Sequence, residues 1–316
     1  MPISVRKIAS LARVSPATVS RVLNNYPHVR EEIRKRVLDA AVRLGYSPHK
    51  NIVWIILQDD YNLGSYVSFM LQAFKDEAVR RGIHLLMSSE TDASVLGGLY
   101  LCDGVISLPN RIGLERRWAE ALPMICINSQ SRPGDNILRV SSNNRQGIFL
   151  ALEYFKSKGH KRIVFINMDV RRPQDSTDTW ERQSAYMEWM QKNMPGTVPE
   201  IIYYFDSVFQ FRQLIARGVT ALFISGEGAT SEIIREARRQ HVNIPEEISF
   251  IGMEPGESLS LLPPGITTIG QDWPLIAATA FDLLEKLISN QPASDQFIDF
   301  KFRERGSVAS LSSGKP

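Results

Sequence analysis

Cysteine is scarce in this sequence: Cys102 and Cys126 are the only two in 316 residues. Both stand in apolar, strand-like stretches. No disulfide framework is therefore expected, and the pair reads as two buried thiols in a reducing compartment. The five histidines show no metal-ligand spacing with those cysteines, so no metal is expected. Long hydrophobic runs are missing as well. None reaches the length of a membrane span, and no apolar stretch follows a basic start as in a signal peptide. The expected setting is the cytoplasm, with no membrane partner. Low-complexity tracts and repeats of solenoid period are absent. Chemistry-bearing loops are absent too. "GEGATS" around Gly226 is too short for a phosphate-binding loop, and no nucleophile-elbow motif organises the Ser, His and acidic residues. A carboxylate pair such as Glu227 and Glu254 is the one arrangement that would suit glycoside hydrolysis. The expectation is nonetheless a protein that is not an enzyme and needs no cofactor.

Charge is present but unevenly placed. The chain carries 37 Lys/Arg and 34 Asp/Glu, a net charge of +3. Residues 1–50 hold ten of the basic side chains and only three acids, Glu31, Glu32 and Asp39. A small basic module joined to a mildly acidic body is a nucleic-acid signal.

The basic module has helical punctuation. Ser4 is a good N-cap, and Val5, Ile8, Ala9 and Ala12 fall on one helical face. Arg13 and Val14 make a short turn. Ser15 caps the next helix, and Pro16 suits its first position, where no N–H is needed. Val19, Val22 and Leu23 form its apolar stripe. Two short helices so closely joined read as a helix-turn-helix. A third helix follows, with Ile33, Val37, Ala41 and Leu44 at helical spacing, acids in its first turn and Gly45 at its end. A recognition helix presents its N-terminal residues to base edges in the major groove. Ala17 offers a methyl group suited to thymine, and Arg21 a fork suited to guanine. Ser4, Ser15, Pro16, Thr18, Ser20, Asn24 and His28 complete the expected DNA-contacting set, the short polar groups facing phosphates, which position without specifying.

From Ile52 the pattern becomes alternating strands and helices. "IVWIIL", "IHLLMSS", "DGVISLP", "PMICIN", "NILRV", "RIVFIN", "EIIYYF", "TALFIS" and "ISFIG" read as strands. Helices are expected over 65–81, 116–122, 145–158, 179–193, near 210, and over 232–240. This is an α/β architecture of parallel sheets with helices on both faces. The chain is long enough for two such sheets, with a ligand cleft outside the strand ends.

"VRKIASLARVSPATVSRVLNN" and "VREEIRKRVLDAAVRLGYSP" together closely resemble the headpiece of the LacI/GalR family of bacterial transcriptional regulators. The body also resembles that family, whose core looks like a periplasmic sugar-binding protein, through "SSNNRQG", "KGHKRIVFI", "ERQSAY", "IPEEISFIGMEP" and "TTIGQDW". The resemblance implies a homodimer that binds double-stranded operator DNA and responds to a small-molecule effector, with a sugar favoured. It implies a headpiece over residues 1–50 and a core over 51–310. Within the core, one subdomain covers about 51–141 plus 272–290, and a second covers about 142–271 plus 291–310. It points to Arg182, Glu227, Glu254 and Trp273 as effector contacts. Asp60, Tyr61, Ser107 and Phe205 are added by their positions at strand ends. Glu227 and Glu254 depart from the family's usual Asp. His160 reads as a structural histidine that ends a helix. The tail lacks the leucine heptads that some relatives use to form tetramers.

One departure is larger. The family places a hinge helix between headpiece and core, whose apolar wedge kinks the operator in the minor groove. Here "GYSPHKNIVWII" passes almost directly from headpiece helix to first strand, and the hinge helix is expected to be missing. The expected function is a ligand-responsive repressor of a sugar-utilisation operon. The alternative is a degenerate regulator, or a sugar-binding protein, with weak specific DNA binding.

Overall fold

The structure, a computed structural model, describes residues 4–23, 26, 28–44, 51–57, 65–89, 102–108, 122–129, 136–167, 177–203, 210–253, 256, 258–261 and 263–311. Three helices form the headpiece: α1 (Val5–Ala12), α2 (Pro16–Leu23) and α3 (Glu31–Arg43). Their apolar stripes meet in one small core of Ile8, Ala9, Ala12, Val19, Val22, Val37, Leu38, Ala40 and Ala41. Arg13 closes α1 in the left-handed region at φ 53. The Val14 N–H then donates to the Ala9 carbonyl at 3.0 Å, which turns the chain sharply into α2.

The body holds β1 (Ile52–Leu57), α4 (Ser65–Arg81), β2 (His84–Ser89), β3 (Gly104–Ser107), β4 (Met124–Ile127), β5 (Ile137–Ser142), α5 (Asn144–Ser157), β6 (Ile163–Asn167), α6 (Thr177–Asn193) and β7 (Glu200–Tyr203). These are followed by α7 (Phe211–Ala216), β8 (Ala221–Ser225), α8 (Glu227–Arg239), β9 (Ser249–Met253), β10 (Thr267–Gly270), α9 (Trp273–Ile288), β11 (Gln296–Ile298) and β12 (Lys301–Arg303). The strands form two six-stranded sheets, ordered β2-β1-β3-β4-β5-β11 and β7-β6-β8-β9-β10-β12. All pairings are parallel except β10 with β12. The central strands are buried along their whole length, which explains their unbroken apolar runs.

Alternation sorts those runs onto two faces. In the second sheet Ile163, Phe165, Ala221 and Phe223 face α5 and α6, packing on Phe155, Tyr186 and Trp189. Val164, Ile166, Leu222 and Ile224 face α7 and α8. In the first sheet Val53, Ile55, Ile106 and Ile125 pack against Phe74 of α4 and Phe281 of α9. The two cysteines form no disulfide and are buried, in the cluster on that sheet's other face.

The expected strands and most expected helices occur. The helix expected over 232–240 begins earlier, at Glu227, and the one expected over 116–122 lies outside the described residues. One boundary needs correction. Residues 291–310 were expected to join the second subdomain, but β11 pairs with β5 of the first sheet, Gln296 opposite Val140. Asp295 fixes that strand there, accepting from the Arg139 backbone N–H and from its Nε, each at 2.8 Å. The last crossing between sheets therefore falls between Ile298 and Lys301.

Candidate nucleic-acid interface and effector site

The helix-turn-helix leaves one face of α2 open. Pro16, Ala17, Ser20 and Arg21 are exposed, as are Ser4 and His28. Ser15 does cap α2: the Thr18 N–H donates to its Oγ at 3.0 Å, and the two hydroxyls are 2.8 Å apart. Ser15 and Thr18 thus hold the N-terminus of α2 in shape. Ser4 caps α1 through its backbone, its carbonyl accepting from the Lys7 N–H at 2.8 Å, while its side chain makes no capping bond. Arg36 of α3 donates to the Arg13 carbonyl, bracing the turn. Asn24 lies outside the described residues.

Of the expected effector contacts, Asp60, Tyr61, Phe205 and Glu254 lie outside the described residues. Glu227 opens α8, but its side chain also lies outside them. The other three are described. Ser107 ends β3 and is buried. Arg182 sits on α6, 9% exposed. Its Nε donates to Asn144 Oδ1 at 2.8 Å, its Nη2 reaches Asp178 Oδ2 at 3.3 Å, and its guanidinium lies over the Phe300 ring. Asn144 in turn donates to Asp178 and Glu181. The expectation was an arginine reaching into the cleft. The structure instead engages its fork in a buried polar knot, drawn there by the Asp178 carboxylate one helical turn earlier.

Trp273 is only 2% exposed. Its ring sits in the first sheet's core, with Tyr66 packed edge-on at 5.2 Å. It offers no open ring face to solvent. Its Nε1, however, is buried with no hydrogen-bond partner among the described residues.

Two polar residues not singled out in the sequence are more informative. Asn167 and Ser225 end β6 and β8 and stand opposite one another in register. By alternation both lie on the α5/α6 face, directly beyond the stacked rings of Phe165 and Phe223. Asn167 is fully buried and Ser225 nearly so. Asn167 Nδ2 donates to Gln183 Oε1 at 2.9 Å, and the Tyr203 hydroxyl donates to the same oxygen at 3.3 Å. Among the described residues, Asn167 Oδ1 and Ser225 Oγ have no partner. The order of this sheet reverses at β6, so the pair sits at the switch point where doubly wound sheets bind ligands. The signal in the sequence was a single polar residue closing each apolar run, "RIVFIN" and "TALFIS".

His160 is structural. Its Nε2 faces the Ala309 carbonyl at 3.0 Å and must donate there, so Nδ1 accepts from the Thr220 hydroxyl at 3.0 Å. Burial pushes its pKa below the ordinary value, against the opposing effect of the Ala309 bond. Among the described residues no group of three or more His, Cys, Asp or Glu is placed to hold a metal. No helix among them is long and apolar enough to cross a membrane.

Residues 4–49 match the family described as bacterial regulatory proteins, lacI family, and residues 152–308 match the periplasmic binding protein-like domain. The HTH-type transcriptional regulator YkvZ of Bacillus subtilis (strain 168) is 26% identical, over 96% of this chain and 99% of its own length. The ribose operon repressor of Escherichia coli (strain K12) is likewise 26% identical, over 96% and 99%. A lac repressor dimer bound to operator and the anti-inducer ONPF superimposes with a TM-score of 0.67 at 20% identity, covering 98% of this chain and all of that one. A CelR–cellobiose complex gives 0.66 at 21%, covering 96% and 99%. At such identities the structures speak for the fold alone. The two family matches follow one another in the order of headpiece and core, and the relatives are regulators aligned over nearly their full length: the chain joins a headpiece that matches the bacterial lacI-family regulatory domain to a periplasmic binding protein-like domain.

Proposed function

We propose that this chain is a ligand-responsive transcriptional repressor of a sugar-utilisation operon, acting as a cytoplasmic homodimer and catalysing no reaction. The observation that carries the reading is the exposed face of α2, with Ala17 and Arg21 presented by a capped helix N-terminus. That geometry suits major-groove reading, with Ala17 against a thymine methyl and Arg21 on guanine O6 and N7. Ser4, Ser20 and His28 hold phosphates, Asn24 adds to them, and Ser15 with Thr18 fixes the helix N-terminus. Two headpieces on one dimer would read two half-sites of a pseudo-palindrome.

The effector would lie beyond the C-terminal ends of both sheets. Ser107 and the Trp273 indole N–H face it from the first subdomain, with Asp60 and Tyr61 from the segment after β1. Phe205, Glu227 and Glu254 contribute from the second subdomain, and Arg182 acts by holding Asn144 and Asp178 in place. A sugar bound there would favour the arrangement of the two sheets that fits the operator less well, releasing DNA by population shift. The ribose operon repressor among the relatives supports a sugar.

The test is a fluorescence-anisotropy titration against the promoter region beside its own gene, at near-physiological salt, with a scrambled duplex as control. The expected outcome is a preference of about a thousandfold or more for the promoter. Equal, salt-sensitive binding to both duplexes would reject a specific repressor.

A further inference from the structure

Folded proteins leave few buried polar atoms unpaired, and each one calls for an explanation. Asn167 Oδ1 and Ser225 Oγ are two such atoms among the described residues, on side chains that stand directly opposite one another on adjacent strands of the same sheet. Gln183, whose Oε1 also accepts from the Tyr203 hydroxyl, anchors the asparagine amide through its nitrogen and leaves its oxygen unengaged. The next residue, Gly226, holds φ 151 and ψ 142, a conformation essentially confined to glycine. It leaves the chain beside Ser225 without a side chain just as α8 begins.

We infer that Asn167 and Ser225 form a hydrogen-bonding subsite for one hydroxyl of an uncharged polyol, and that they set effector specificity. The inference deepens the proposed function and rests on it. The chemistry is directional. Asn167 Oδ1 can only accept, so the ligand group must carry a proton. Ser225 Oγ can donate as well as accept, so it can give a proton to the lone pairs of the same group. A sugar hydroxyl meets both demands at once. A carboxylate or a fully ionised phosphate oxygen has no proton for Oδ1 and would set lone pairs against lone pairs. Filling the subsite would supply partners for buried groups now without them, and a site built to bond a hydroxyl strongly rejects an analogue lacking it.

The test uses the full-length protein and six probes: D-ribose, D-xylose, D-glucose, D-galactose, D-gluconate and D-galacturonate. Binding is read by calorimetry and unfolding by thermal melting, for wild type, Ser225→Ala and Asn167→Ala. At least one neutral sugar should bind the wild type, and Ser225→Ala should weaken that sugar by about tenfold or more. Unliganded Ser225→Ala should melt no lower than wild type, because it deletes an unpaired hydroxyl rather than a bond. Asn167→Ala should weaken the same sugar, with a lower melting point because it also strips Gln183 of a donor. Unchanged sugar affinity in Ser225→Ala, binding of the acids alone, or no binding by any neutral sugar would each overturn the subsite. Promoter binding measured on the same samples separates the two ideas. Retained promoter preference with an indifferent Ser225→Ala refutes the subsite and leaves the repressor standing, whereas loss of promoter preference in the wild type refutes the repressor.

Discussion

Gln271 Nε2 donates to Ser142 Oγ at 2.7 Å, and both side chains are buried. The two residues stand at different crossings between the sheets, Ser142 at the end of β5 and Gln271 just after β10. The third crossing is tied to them. Asn143 Nδ2 donates to Asp299 Oδ1 at 2.8 Å, and Lys301 Nζ lies 2.6 Å from Asp272 Oδ2. Any motion of one sheet against the other must therefore act on all three crossings together. Gln271→Leu should lower stability by about 1–3 kcal/mol, since it leaves Ser142 short of its buried partner. Adding Ser142→Ala should recover part of that loss, because two apolar groups leave nothing unpaired. Urea unfolding of the single and double variants checks this, and strictly additive losses would count against it.

Arg182 gives a second, larger effect. Its guanidinium binds Asn144 and Asp178 in a site where both charged side chains are 11% exposed. Arg182→Ala leaves the Asp178 carboxylate buried with less compensation, and breaking such a pair costs about 3–5 kcal/mol. Arg182→Lys should also destabilise, because a point charge cannot replace a fork that spans two acceptors. Thermal melting without ligand should show both losses. A wild-type melting point in Arg182→Ala would instead mean that the arginine acts only on a ligand.

Arg21 and Ser15 make separable predictions on α2. Arg21→Ala should cost about 1–3 kcal/mol of preference for the operator while leaving the headpiece folded. Ser15→Ala should weaken operator and scrambled duplex alike and lower helix stability by about 1 kcal/mol, because it removes the cap bond to Thr18. Anisotropy titrations on both duplexes distinguish a lost base contact from a lost cap.

The difference between these residues marks what was legible in the sequence. Helix caps and strand runs are local, so Ser15, Pro16 and the nine strands could be placed by spacing and composition. Roles that depend on distant partners could not. Arg182 reads from the sequence as an effector contact, whereas its binding to Asn144 joins two helices that only the fold brings together. Trp273 reads from the sequence as an effector contact, whereas its ring lies in the first sheet's core with Tyr66 from α4 packed edge-on against it. β11 was missed because "QFI" is short and sits at a sheet edge, held there by the Asp295–Arg139 pair far apart in sequence. Asn167 and Ser225 were read as the ends of apolar runs. Their meaning emerges only when two strands lie in register.

His160 predicts a pH dependence. Burial holds its pKa below the ordinary 6.5 in the folded protein, so the folded state binds that proton less readily than the unfolded chain. Its contribution is therefore complete above that value and is lost as pH falls through it. Glu77 and Glu236 are held at about 2 from an ordinary 4.5, chiefly by hydrogen bonds from Arg80 and Arg239, so their losses begin only lower. Between about pH 6.5 and about pH 4.5, falling stability should trace to His160. Urea unfolding across that window should show a decline in wild type and a flatter profile in His160→Gln. Equal slopes would assign the decline elsewhere.

The junction between headpiece and core sets the last expectation. α3 ends at Arg43 and β1 begins at Ile52, so only Leu44 to Asn51 join them, and that stretch contains Gly45 and Pro48. A helix of two turns takes about seven residues at 3.6 per turn. Accommodating one here would consume the whole junction and place a proline within it, where a missing N–H and a clashing ring disfavour the helix. Residues 45–50 lie outside the described residues, so the expectation rests on the sequence: without a helix at the junction no apolar wedge would be presented to the minor groove at the operator centre, and wedges of that kind are what drive strong kinks. The bound operator should therefore stay close to straight. A circular-permutation mobility assay, with the bound site moved along fragments of constant length, measures the bend directly. Mobility nearly independent of site position is the expected result. A strong position dependence would show that the kink is produced by some other contact, and the coupling between effector and operator would then have to pass through it.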